Sequence, residues 1–281
     1  FQAPVVLIAT GGGAGMYARN DSAPGNTGDG IVIAYEAGAD LVDLECISFN
    51  VPPKRVPEFL AASPIPDEEL LELGHAHYFM GGVRIDADGT TTVPGLYAAG
   101  EATGGVFGAA RLGGAALADC LVFGHRAGLA AADYARESAQ VELPEADVAE
   151  ATALPDKLRA GTADPDDVAE RLREINWRWM GSMKSAATLA RELEELANLD
   201  EELTALEASD GLAIRTALEV RGMRTLAELV AWASLVREET RGCYWRTDFP
   251  QPDDTQLRNI IIRKTESGPA LSAEPLVLAD I

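Results

Sequence analysis

Apolar residues run unbroken over positions 4–10 (PVVLIAT) and stop at Gly11, Gly12 and Gly13, a pattern that predicts a buried parallel strand entering a glycine-rich turn. Thr27-Gly28-Asp29-Gly30 then opens IVIAYEAGA, a helical run with an acid near its N-terminus, and a short strand follows within 41–49. Residues 51–74 carry Pro52, Pro53, Pro57, Pro64 and Pro66 and read as a connector holding a helical turn or two. Positions 77–85 and 91–99 read as two strands around the Asp86-Ala87-Asp88-Gly89 turn, and a helix over 115–136 closes this half.

Beyond the polar stretch 137–155, Leu and Ala recur at three- and four-residue spacing through 167–180, 185–199 and 211–239. This predicts a helical bundle. A break at Ser209-Asp210-Gly211 precedes the last long helix, and Pro250 and Pro252 end the helical region before a strand-like run at 260–263. The expected architecture is an α/β unit over 1–140, with 51–74 as a short insertion, followed by a helical unit with a C-terminal extension over 141–281.

Composition narrows the function classes. A chain of 281 residues that is 47% apolar can bury the core of one large or two modest domains. Its net charge of −22, with 23 basic against 45 acidic residues, excludes a nucleic-acid binder, which needs clustered cations to displace counterions. Cys46, Cys120 and Cys243 are far apart and form no C-x-x-C pair, so the pattern offers no zinc knuckle or iron–sulfur cluster, and a reducing, cytoplasmic setting is expected. The most apolar window, 115–134, is interrupted by Asp119, His125, Arg126 and Asp133, so it reads as a core helix of a soluble domain and direct membrane insertion is not expected. The opening Phe1-Gln2-Ala3 does not resemble a signal peptide, and the sequence is expected to begin partway through a longer protein.

The chemistry concentrates in one stretch. Gly95-Leu96-Tyr97-Ala98-Ala99-Gly100-Glu101 runs through Thr103-Gly104-Gly105 to Gly108-Ala109-Ala110-Arg111-Leu112-Gly113-Gly114, immediately before the apolar helix. Glycines there let backbone amides approach a large, flat, anionic cofactor, and the stretch reads as a flavin site. Glu101 falls at the C-terminal end of a strand, where a carboxylate can accept hydrogen bonds from ribityl hydroxyls. Arg111 is flanked by Gly and Ala that cannot pair with it, so its fork suits a bound carboxylate or a proton-poised cation beside a flavin. The helix start near Ala115 would favour negative charge on a reduced ring by about 0.3–2 kcal/mol.

Three other patterns carry less. Gly13-Ala14-Gly15-Met16-Tyr17-Ala18 matches a loose G-x-G-x-x-A, but the following residues 17–25 are too polar for a sheet-packed helix, so the loop reads as a cofactor-edge turn rather than the primary pyrophosphate site. His75-Ala76-His77 lacks further ligands at metal spacing; His77 reads as a hydrogen-bond donor to a substrate carboxylate, with a structural histidine as the rival reading. Residues 241–250 (RGCYWRTDFP) could form a docking turn between domains. No Ser-His-Asp set or paired catalytic carboxylates support hydrolysis.

Taken together, ATGGGAGMYARND, NTGDG, HYFMGG, VPGLYAAGEATGGVFGAARLGG, DCLVFG and RGCYWRTDFPQPDD, in this order, resemble the flavoprotein subunits of succinate dehydrogenase and fumarate reductase and the similar L-aspartate oxidases. The resemblance implies part of a Rossmann-like FAD-binding domain followed by a C-terminal helical domain. It implies FAD lined by Gly11, Gly12, Thr27, Gly28, Asp29, Gly100 and Glu101, with Ala115, Ala116 and Leu117 approaching the ring system. It implies His77 and Arg111 as ligands of a substrate carboxylate, and hydride transfer between the flavin and a C4 dicarboxylate or related small acid. An iron–sulfur or other electron-transfer subunit is the implied partner, through which the chain would meet a membrane. The departures are specific. By the resemblance, the family's opening strand with its G-x-G-x-x-G would lie before Phe1, and the capping domain would be reduced to 51–74. Its Q-F-H-P-T-G is replaced by Ser48-Phe49-Asn50-Val51-Pro52, and three polar side chains of its H-G-A-N-R-L-G-x-N-S-L become Ala. These losses leave an alternative open, a non-catalytic or split subunit that assembles with an FAD-bearing partner.

Overall fold

The computed structural model describes residues 2–50, 74–139 and 142–276. The predicted connector at 51–74 lies outside the described residues apart from its last position.

The first strand, β1 (Val6–Ile8), lies parallel to β6 (Leu96–Ala98), with Ile8 opposite Ala98. Their carboxyl ends therefore open side by side, one into Gly11-Gly12 and the other into Gly100-Glu101. Parallel strands end this way where α/β folds bind ligands. The NTGDG motif opens α1 (Asp29–Glu36), as the sequence predicts.

Two of the expected strands divide. The 41–49 run becomes β2 (Leu41–Val42) and β3 (Ile47–Phe49), separated by a turn in which Asp43 takes a left-handed φ of 52°. The 77–85 run becomes β4 (Ala76–Phe79) and β5 (Gly82–Arg84), broken at Met80-Gly81. In each case the two halves join different sheets: β3 pairs antiparallel with β4, while β2 and β5 enter a five-stranded sheet ordered β7-β5-β2-β8-β9, where β7 is Thr103–Gly104, β8 Arg258–Thr265 and β9 Gly268–Pro275. The predicted pairing of 77–85 with 91–99 is replaced, because β6 takes β1 as its partner.

Among the described residues, the remaining α-helices are α2 (Ala115–Glu137), α3 (Glu145–Leu158), α4 (Pro165–Met180), α5 (Ala186–Asn198), α6 (Asp200–Thr204) and α7 (Gly211–Val236). Their starts carry the expected chemistry. Asp164 caps α4 ahead of Pro165, Ser185 and Thr188 form a capping box on α5, and Asp210 accepts from two amides of α7. Helix α3 occupies what reads as a polar connector and is almost wholly exposed, with Leu158 its one buried residue among those described. The strand-like 260–263 run is the centre of β8 (Arg258–Thr265), which turns back into β9 (Gly268–Pro275); β8 also pairs with β2, so the chain's end completes a sheet begun in its first half.

One core spans the strands, α1 and the α4–α7 bundle. Helix α7 is central to it, whereas α2 buries only Asp119, Ala127 and Ala131. The expectation that α2 is a core helix is thus corrected: the elements it packs on, β1, β6 and the Gly100–Ala102 turn, cover one side of it.

Candidate functional site

The site residues meet because short backbone pairings bring distant segments together. Asp21 N–H donates to Ala76 O at 3.2 Å and Ala76 N–H to Arg19 O at 2.9 Å, which zips the 19–21 loop to the start of β4. His75 and His77, two apart on an extended segment, share one face. Both reach Asp21: His77 Nδ1 lies 2.8 and 3.0 Å from the two carboxylate oxygens, and His75 Nε2 lies 3.0 Å from Oδ2. Asn50 Nδ2 adds a contact at 3.3 Å to the same oxygen. Burial would raise the Asp21 carboxyl, but hydrogen bonds and charge from His77 and His75 outweigh it and hold it below its usual range.

Arg111 approaches from the glycine-rich loop. Its backbone N–H rests 3.2 Å from Met80 Sδ, and its guanidinium lies over the Tyr78 ring at 4.3 Å and reaches His77 Nε2 at 3.3 Å. Phe107 packs edge-on against Tyr78, with ring centroids 5.9 Å apart. The Arg111 Nε is buried without a hydrogen-bond partner among the described residues. The loop is braced from the helical half, where Cys243 N–H donates to Ala109 O at 2.8 Å. Gly242, at φ 59°, makes that approach possible, since a Cβ there would stand 2.4 Å from Ala109 O. The 241–250 segment thus docks the two halves at this point.

Glu101 organises the floor. Its Oε1 accepts the Phe79 N–H at 3.0 Å, and the carboxylate also takes the Gly12 N–H. A Cβ on Gly12 would fall 2.3 Å from Oε1, so a side chain there would push the Glu101 carboxylate from this position. Burial raises the Glu101 carboxyl, with the two backbone bonds, His77 and Arg111 opposing it. Gly100 and Gly12 are buried beside it. Ala115 and Ala116 begin α2 half-buried and Leu117 is exposed, while Gly113 and Gly114 face open space.

Thr27, Gly28 and Asp29 stand on the other side of the Gly11–Gly13 loop. Thr27 Oγ1 donates to Asp29 Oδ2 at 2.7 Å, Gly28 packs on Leu226 of α7, and Asp29 lines a cavity of about 760 Å³ between α1 and α7. They are therefore near Gly13 but separate from the His77–Arg111 cluster.

Two residues of this region escaped the sequence reading. Asp21 sits in a polar, punctuated loop, and nothing local marks its partner 56 positions away. Asp119 is 5% exposed with neither carboxylate oxygen paired among the described residues, and burial raises its carboxyl. A lone acid within the apolar run ALADCLVF was the available signal for it.

Comparison with known proteins follows this geometry. The family described as fumarate reductase flavoprotein C-term matches residues 169–281, and the FAD binding domain family matches 64–117. A polypeptide of the fumarate reductase (CoM/CoB) of Methanothermobacter marburgensis is 28% identical over 94% of this chain and 64% of its own length. The L-aspartate oxidase of Streptomyces coelicolor is 27% identical over 92% of this chain and 60% of its own. Among solved structures, Mycobacterium smegmatis Sdh1 in complex with UQ1 superposes with a TM-score of 0.85 at 26% identity, covering 98% of this chain and 62% of that one. The chain thus spans rather less than two thirds of the length of each of these proteins. No described helix is long and apolar enough to cross a membrane.

Proposed function

Because the chain belongs to the flavoprotein family of succinate dehydrogenase, fumarate reductase and L-aspartate oxidase, we propose that it supplies the acid-gripping part of an FAD-dependent oxidoreductase that moves a hydride between the flavin and a dicarboxylate-type substrate, succinate, fumarate or L-aspartate. The observation that carries this reading is the meeting of Arg111 with His77 over the Tyr78 ring, at the mouth of the strands that end in Gly12 and Glu101.

The residues present fit an FAD-type group. Among the described residues, Asp119 and the Arg111 Nε hold buried polar atoms without hydrogen-bond partners, and Gly113 and Gly114, just before α2, have no heavy atom within 4 Å of where a Cβ would stand. Gly11, Gly12, Gly100 and Glu101 would hold the cofactor at the strand ends, with Thr27, Gly28 and Asp29 bracing that loop from behind and Ala115, Ala116 and Leu117 bordering the ring system. FAD, when bound, supplies the two-electron chemistry. The chain's own part is to bind and orient the acid. The Arg111 guanidinium offers a planar pair of donors to one carboxylate, and its stacking on Tyr78 limits the orientations it can take. His77 stands 3.3 Å from it, close enough to share the same ligand group. An electron-transfer subunit, iron–sulfur or other, is the partner this reading calls for.

A second reading is favoured by one observation. The outer face of α2 exposes Leu117, Leu121, Val122 and Leu129, and β1 beside it exposes Val6 and Leu7. A face of this kind supports assembly with a separate FAD-bearing polypeptide, with this chain as a split subunit. The visible absorbance of the purified chain mixed with FAD separates the two. A bound flavin band, bleached by dithionite and restored by fumarate, supports the enzyme; colour that is retained only with a second polypeptide supports the split subunit.

A further inference from the structure

We propose that Asp21 is the positioning residue that fixes His77 with its proton on Nδ1, so that a carboxylate binding beside Arg111 draws a proton from solvent onto Nε2. This inference rests on the carboxylate reading of the site.

Both ends of the His77 ring demand the same tautomer. Arginine has donors and no acceptor, so Arg111 Nη2 at 3.3 Å must donate to Nε2, which therefore carries a lone pair. On the other side, Nδ1 lies within 3.0 Å of both oxygens of the Asp21 carboxylate, which can only accept, so Nδ1 carries the hydrogen. Asp21 is itself held in place, with its backbone zipped to Ala76 and its side chain bonded to His75 and Asn50.

The consequence appears when an acid enters. A carboxylate brings acceptor oxygens only, and in this tautomer Nε2 is an acceptor as well. Once the Arg111 fork swings from Nε2 to the ligand, a lone pair and an anionic oxygen face each other. One proton taken from solvent onto Nε2 turns the repulsion into a charge-assisted hydrogen bond, and the Asp21 carboxylate balances the imidazolium. No bond to the ligand is made or broken. Among the described residues, the titratable and charged groups around His77 are Asp21 from the 19–21 loop, His75 on the same carboxylate, Arg111 from the glycine-rich loop, and Glu101 beyond it.

Isothermal titration calorimetry of the full chain with succinate, near neutral pH in two buffers of different ionisation enthalpy, reads the proton directly. Net proton uptake on binding is expected. In Asp21→Asn, whose single amide oxygen cannot serve both histidines, uptake disappears and affinity falls about 10–100-fold, with the thermal unfolding midpoint kept. Asp21→Glu, which keeps two acceptor oxygens, retains the uptake. Binding to the parent chain without proton uptake overturns the proposal and leaves the carboxylate reading intact. Failure of succinate to bind at all overturns both. With only three histidines in the chain, nitrogen-15 NMR gives a second readout that needs neither variant nor ligand. His77 protonated on Nδ1 and bare on Nε2 is the expected result, and the opposite tautomer removes the role assigned to Asp21.

Discussion

Helices α2 and α7 are both long and apolar, yet they meet opposite surroundings. In α7, Val220, Met223, Leu226 and Val230 are fully buried, packed between α4, α5 and α1. In α2, Leu117 is 74%, Leu121 75% and Leu129 57% exposed. The difference lies in what each helix has to pack against rather than in its own pattern. Apolar periodicity predicts that a helix forms and which face seeks cover. Whether cover exists depends on other segments, and around α2 the described residues provide it on one side alone.

The largest effect that would sharpen this contrast lies at the C-terminal end of α7. Arg237, 4% exposed, bonds Glu45 at 2.7 Å and Glu239 at 3.2 Å, tying the helix to the turn after β2. Truncating it in Arg237→Ala leaves the buried Glu45 carboxylate without its ion-pair partner, while Glu239 keeps Arg241, and should cost about 3–5 kcal/mol in chemical denaturation. Leu226→Ala should cost about 2–5 kcal/mol, because its Cδ2 fills the space over Gly13 and Gly28, behind the Gly11–Gly13 loop.

Glu192 on α5 gives a smaller effect of opposite sign. It is fully buried with neither carboxylate oxygen paired among the described residues, and the buried Tyr17 hydroxyl and Asn176 Oδ1 are likewise unpaired there. Burial, reinforced by Glu195, pushes its carboxyl up from the ordinary 4.5 to about 8. Over that interval the folded chain keeps a proton that the unfolded chain has released, so stability falls as pH rises from about 4.5 to about 8. Glu192→Gln remains neutral and should flatten this decline, adding about 1–3 kcal/mol at neutral pH and above, as read from unfolding midpoints across pH. The smallest effect belongs to α2. Leu121→Ala should change the stability of the chain by no more than about 0.5 kcal/mol. A loss of several kcal/mol there would mean that the α2 face is already covered in solution and would break the comparison.

These positions also mark how far the sequence could be read. Helix starts at Ser185 and Asp210 and the strand before Gly11 are local signals, and the structure keeps them, whereas the helix read from 167 begins earlier, at Pro165 behind its cap Asp164. His77 and Arg111, which the structure brings within 3.3 Å of each other, each stand in a motif that the sequence displays. The contact of Asp21 with His77 has no such local mark, since it comes from a backbone pairing with β4 across a long stretch of chain. Glu192 had a readable signal: it shares a helical stripe with Leu189 and Leu196, the face that turned inward. The hairpin of β8 and β9 was half seen, because β9 alternates weakly and gains its place by pairing rather than by burial.

The central claim is that Arg111 grips the acid beside the flavin without holding the flavin itself. The direct measurement is fumarate-dependent reoxidation of the dithionite-reduced flavin band, compared between the parent protein and Arg111→Ala. The account predicts equal flavin colour in the two proteins and a loss of reoxidation rate of about a hundredfold or more in the variant. An unchanged rate, or loss of the flavin together with the arginine, would contradict it.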